Sequence, residues 1–109
     1  MYLGKTMSKK ANWDIKQLRA IGHKLKPIVT VAGNGLSEGV LTELDRALTD
    51  HELIKIKLAV GSRETRKDVA QQICEQSGAE LVQSIGNVIV IMRRSPTPDP
   101  KLSNLIKPL

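Results

Sequence analysis

The chain has 109 residues and a net charge of +6, from 17 Lys and Arg against 11 Asp and Glu, with an isoelectric point near 9.7. That length supports one domain around one core and excludes a two-domain enzyme, while the positive balance favours a polyanion, whether RNA, DNA or acidic lipid, as partner. The single cysteine, Cys74, cannot close an intramolecular disulfide, and no apolar run approaches the ~20 residues of a membrane span, so a cytoplasmic protein with no membrane partner is expected.

Residues 1–12 lack the apolar run of a signal peptide, and residues 1–7 are expected to form a flexible N-terminus. From Ser8, a residue type suited to an N-cap, the positions Ala11, Ile15, Leu18, Gly22 and Leu25 recur at helical spacing, which predicts a first helix over roughly 8–22. Lys9, Asn12, Lys16, Arg19 and His23 follow the same spacing about 200° around the helix, so one face is expected to be core and the other basic. Pro27 ends the helical region and the β-branched run Ile28-Val29-Thr30-Val31 predicts a strand over 28–32. Gly33-Asn34-Gly35 then interrupts the chain before Ser37, an N-cap, and Glu38 open a second helix over 37–50.

Ile54-Lys55-Ile56-Lys57-Leu58 alternates with period two, placing Lys55 and Lys57 together on one face of a second strand. A third helix carries Val69, Ala70, Ile73 and Cys74 on its apolar face, has Arg63, Arg66 and Lys67 in its first turn, and stops at Gly78. Leu81–Ile85 and Val88–Met92 flank Gly86-Asn87 as a hairpin. The tail from Ser95, with prolines at 96, 98, 100 and 108, has no periodicity and is expected to be flexible, leaving 8–94 as the domain. The order α-β-α-β-α-β-β predicts an α/β sandwich with a four-stranded mixed sheet.

Charge is polarised along this order: residues 1–31 carry +6, residues 32–54 carry −4 and residues 55–67 carry +4. Helix 37–50, with Glu38, Glu43, Asp45 and Asp50, is therefore acidic between basic neighbours. Catalytic patterns lack their partners. His51-Glu52 begins like H-E-x-x-H but position 55 is Lys; Gly33-x-Gly35 is not followed by the spacing of a dinucleotide loop; Cys74 sits on an apolar helix face, where a small buried thiol is far commoner than a nucleophile. No enzyme activity, cofactor, metal or small-molecule substrate is expected.

A glycine turn between strand and helix lets the backbone approach a phosphate closely, and single-stranded RNA modules clamp the nucleic-acid backbone with such loops. The runs His23-Lys24-Leu25-Lys26-Pro27-Ile28-Val29, Gly33-Asn34-Gly35-Leu36-Ser37-Glu38-Gly39-Val40, His51-Glu52-Leu53-Ile54-Lys55-Ile56-Lys57 and Arg63-Glu64-Thr65 resemble the CRM domain (chloroplast RNA splicing and ribosome maturation). They are most similar to its stand-alone bacterial members of the YhbY type. The resemblance spans about residues 8–94 and implies a fold like the C-terminal domain of translation initiation factor three, RNA binding through a G-x-x-G loop, and association with ribosomal RNA of large-subunit precursors. The family loop falls on Ala32-Gly33-Asn34-Gly35, with Ala32 in place of its first glycine, and Met92-Arg93 stands where relatives have Tyr-Arg. With Trp13 and Tyr2 the only aromatic residues, base stacking on rings is not expected to dominate.

The expected RNA contacts are Lys9, Lys16, Arg19, His23, Lys24, Lys26, the loop Ala32, Gly33, Asn34 and Gly35, then Lys55, Lys57 and Arg63. Two other readings fit the charge: a basic chromatin protein of the Alba type coating DNA, and a protein-binding module acting through the acidic helix 37–50.

Overall fold

The computed structural model describes residues 14–33 and 35–106, so Lys9, Asn34, Trp13 and the expected flexible N-terminus lie outside the described residues. The elements are α1 (Ile15–Lys24), β1 (Pro27–Val31), α2 (Glu38–His51), β2 (Leu53–Leu58), α3 (Arg63–Ser77), β3 (Glu80–Ile85) and β4 (Val88–Met92). The predicted order and the mixed four-stranded sheet are those observed. Strand order is β1-β2-β4-β3, with β1 and β2 parallel and the other pairs antiparallel. Strand β4, whose sequence VIVIM is apolar throughout, takes an interior position where Ile89, Val90 and Ile91 are all buried, as a strand covered on both faces requires.

Helices α2 and α3 cover one face of the sheet. Val29 and Val31 of β1, Ile54, Ile56 and Leu58 of β2, and Ile89 and Ile91 of β4 meet Leu44, Leu48 and Ile73 there. Helix α1 covers part of the other face through Leu18 and Ile21, which pack on Leu53, Val82 and Val90. The ends of β1 and β2, the β3–β4 turn, and the N-termini of α2 and α3 all gather at one end of the sheet, where Ala59 N donates to Val31 O and Leu58 N to Asn87 O, each at 2.7 Å. Open α/β sheets place ligands at such an end.

Of the helix predicted over 8–22, residues 8–13 lie outside the described residues, and the described helix α1 begins at Ile15. Asp14 is extended (φ −80°, ψ 163°) and forms a capping box, its carboxylate accepting from Gln17 N at 2.8 Å while the Gln17 side chain accepts from Asp14 N at 3.1 Å. The core face is also rotated: Ile21 is 5% exposed and Ile15 is 45% exposed, so Ile21 rather than Ile15 is a core residue. Gly22 is there because the helix comes closest to the sheet at that point. A Cβ at position 22 would lie 2.9 Å from Val90 Cγ1.

The expected flexible tail is corrected through residue 106. It forms no helix or strand, yet Ser103, Asn104 and Leu105 are buried against the domain. The anchor is Glu52, the C-cap of α2, fully buried and held at φ +62°. Its carboxylate accepts from Ser103 Oγ at 2.7 Å and Ser95 N at 2.6 Å and faces Arg94 Nε at 3.5 Å. Asn104 Nδ2 donates to Leu53 O at 2.7 Å, and Leu105 joins Leu18 and Ile21 beneath α1. Burial of the carboxylate is compatible with folding because its oxygens are hydrogen-bonded.

Candidate nucleic-acid interface

Alternation in β2 settles where its lysines go. Ile54, Ile56 and Leu58 point into the core under α2 and α3, so Lys55 and Lys57 emerge on the α1 face. Leu53, on that same face, is buried under α1, whereas Lys57 is exposed beyond it, opposite Thr30 of β1 and Val88 of β4. Lys55 is half-buried and its Nζ lies 3.4 Å from His23 O in the last turn of α1, where the carbonyl end of a helix attracts a cation. A hollow of about 310 Å³ opens beside it between His23, Lys55, Gln83, Ile85 and Val88. Neither lysine is ion-paired to another described residue.

The other cations predicted on α1 are exposed, but they do not form one stripe pointing away from the sheet. Arg19 bends over β3, its Nε donating to Val82 O at 3.4 Å, and His23 borders the hollow, so both flank the sheet, while Lys16 projects from the helix surface. Lys24 and Lys26 are exposed at the corner between α1 and β1. That corner and the glycine loop are separated by the length of β1, roughly 13 Å for four residue steps.

In the loop, Gly35 N donates to Ala32 O at 2.9 Å, closing a turn in which Gly35 has φ +77°. Among the described residues the only non-glycine with positive φ is Glu52, so Ala32 does not occupy a left-handed position and its replacement of the family glycine adds no backbone strain. Ala32 and Gly33 are exposed and nothing lies within 4 Å of a Cβ built on Gly33. The start of α2 is otherwise occupied: Ser37 Oγ accepts from Val40 N at 3.2 Å, and Glu38 places a carboxylate in the first turn. A phosphate at this loop would therefore meet the backbone of Gly33 and Gly35 rather than a free helix terminus.

Arg63 is separated from this surface. It is the first residue of α3, on the opposite face of the sheet, and lines a groove between α3 and β3 with Arg66 and Lys67. Arg66 and Lys67 belong to a basic cluster that the expected contacts omitted, although their i+3 and i+4 spacing from Arg63 was visible in the sequence. Arg93 is used internally, bound to Asp45 Oδ1 at 3.0 Å and to the carbonyls of Ser77 and Asp45. Met92, in place of the family tyrosine, is half-buried in the cluster beneath α1, so this position belongs to packing rather than to an open stacking surface. Among the described residues no group of three or more His, Cys, Asp and Glu is placed to hold a metal ion, and no helix is long and apolar enough to cross a membrane.

The model of the CRS1 / YhbY (CRM) domain matches residues 11–93. The chain belongs to this family. As a CRM protein it is 53% identical over 90 residues, 83% of this chain and 86% of the relative, to the Pseudomonas aeruginosa protein named "Probable RNA-binding protein PA4753". It is 45% identical over 78 residues, 72% of this chain and 79% of the relative, to a Haemophilus influenzae protein named "RNA-binding protein". The CRM fold itself recurs in the solution structure of a Staphylococcus aureus protein, with a TM-score of 0.69 at 32% identity, covering 76% of this chain and 86% of that one.

Proposed function

We propose that this CRM domain is a non-catalytic RNA-binding protein that holds phosphates on the α1 face of the sheet and on the adjoining glycine loop. The observation that carries the reading is the pair Lys55 and Lys57 on the α1 face of the sheet, without acidic partners among the described residues, with Lys57 opposite Thr30 on the strand that leads into the exposed residues Ala32 and Gly33. Lysines without acidic partners have no ion pair to give up on meeting phosphate and release its counterions. His23, Arg19, Lys16, Lys24 and Lys26 extend the cationic border around α1. The names carried by the relatives point to the same class of ligand.

The RNA is ribosomal RNA in precursors of the large subunit, and the protein acts in the cytoplasm as an assembly factor. This part of the proposal is supported by the similarity of the loop and lysine motifs to the stand-alone bacterial members of the family. Gradient sedimentation of the tagged chain tests it: the protein should travel with immature large subunits and be largely absent from translating ribosomes. Equal occupancy of every ribosomal fraction, or of none, would refute the assembly role.

A further inference from the structure

We propose that the groove between α3 and β3 is a second RNA subsite, in which an unpaired base lies on Ala70, Cys74 and Leu81 while the neighbouring phosphates are held by Arg63, Arg66 and Lys67. The proposal rests on the RNA reading above and extends it to the opposite face of the sheet. The groove measures about 800 Å³, with an aliphatic floor and with Gln71 and Ser84 as the polar groups available to a base edge. Such a volume suits a ligand of nucleotide size or somewhat larger.

The rim is cationic because residues 63, 66, 67, 70, 71 and 74 fall on one stripe of α3. None of the three cations is ion-paired to another described residue, and Glu64 and Asp68 on the same helix lie outside the lining. Gln71 Nε2 lies 3.5 Å from Glu75 Oε2, so the acidic neighbour sits beyond the floor, one turn further on. A nucleotide joins what this surface asks for, a flat weakly polar ring beside a phosphate. An apolar peptide would leave the cations unmatched, and a free phosphate would leave the floor wet.

Two further observations favour a base. The described residues contain no Phe, Tyr or Trp, so a base held by them rests on aliphatic side chains and guanidinium planes, both present here. The groove also ends at the β3–β4 turn, on whose other side the first surface begins. Gly86 lines the groove, while its neighbours Ile85, 62% exposed, and Val88 line the hollow on the α1 face. A strand crossing this turn touches both.

Cys74, half-buried in the groove and the only cysteine, supplies the test. Burial raises its thiol above the ordinary value of 9.0, so alkylation by iodoacetamide is followed at alkaline pH on the full chain. The probes are a single-stranded RNA of about a dozen nucleotides, at saturation by anisotropy, and the same sequence as a duplex. Single-stranded RNA should slow alkylation at least about fivefold and the duplex should not, since its bases stay stacked. Leu81→Ser, at a position 48% exposed and with its fold checked by thermal unfolding, should weaken single-stranded RNA binding roughly fivefold or more and leave polyphosphate binding unchanged. If saturating RNA leaves the alkylation rate unchanged while Lys55→Ala/Lys57→Ala abolishes binding, the groove proposal is overturned and the RNA reading stands. Protection by polyglutamate but not by RNA would assign the groove to an acidic peptide and overturn it as well. Failure of the wild-type chain to bind RNA at all would remove both.

Discussion

The glycine loop allows binding and folding to be perturbed separately, because its two described glycines have different backbone geometry. Gly33 has no left-handed φ and open space around a Cβ, so Gly33→Asp should change stability by no more than about 0.5 kcal/mol, as for surface substitutions generally. Its carboxylate would stand where a phosphate oxygen is proposed to approach. Like charges about 4 Å apart repel by roughly 1 kcal/mol in bulk water and about 4 kcal/mol at the effective dielectric of a protein surface, so RNA affinity should fall at least about tenfold. Gly35, at φ +77°, behaves in the opposite way: Gly35→Ala should cost about 1 kcal/mol through the left-handed backbone, lowering Tm by about 4–8 °C, and leave RNA affinity nearly unchanged in the folded protein. Thermal unfolding and fluorescence anisotropy on the same samples read both quantities. A folded Gly33→Asp variant that binds RNA as the wild type does would show that the loop is only a turn.

Two predictions test the packing that supports the site. Gly22→Ala should destabilise the domain by about 1–3 kcal/mol through contact with Val90, less about 1 kcal/mol gained in helix propensity, and combining it with Val90→Ala should recover part of the loss in urea unfolding; strict additivity would refute the close approach. Ser103→Ala leaves the buried Glu52 carboxylate one donor short and should cost about 1–3 kcal/mol, whereas an unchanged Tm would show that the tail is not docked in solution.

Much of this architecture is readable from local pattern, and what is not readable depends on contacts between residues distant in sequence. Ser37, the period-two β2 and the Gly86-Asn87 hairpin are local signals, and each element stands where its signal puts it within a residue or two. The start of α1 at Ile15 is not readable from apolar spacing, because it is set by the reciprocal bonds between Asp14 and Gln17, while residues 8–13 lie outside the described residues. The docking of the tail is not readable because Ser103 and Asn104 are held by hydrogen bonds to Glu52 and Leu53 rather than by apolar periodicity. Glu52 itself gives no sequence signal of a buried carboxylate in left-handed backbone. Within the candidate site, Lys55 and Lys57 were legible as a pair because alternation fixes their common face. Arg63 could not be assigned to a face, since that depends on α3 crossing to the far side of the sheet, where it joins Arg66 and Lys67.

The central claim, that the sheet lysines bind RNA phosphate, is tested most directly by the salt dependence of RNA affinity in the wild type and in Lys55→Ala/Lys57→Ala, with Glu43→Gln on α2 as the control. Log K should fall steeply with log[salt] in the wild type, and the double variant should lose roughly 0.7–0.9 of slope per removed contact, about 1.4–1.8 in all, while the control keeps the wild-type slope. A double variant that remains folded with the wild-type affinity and slope would contradict the account.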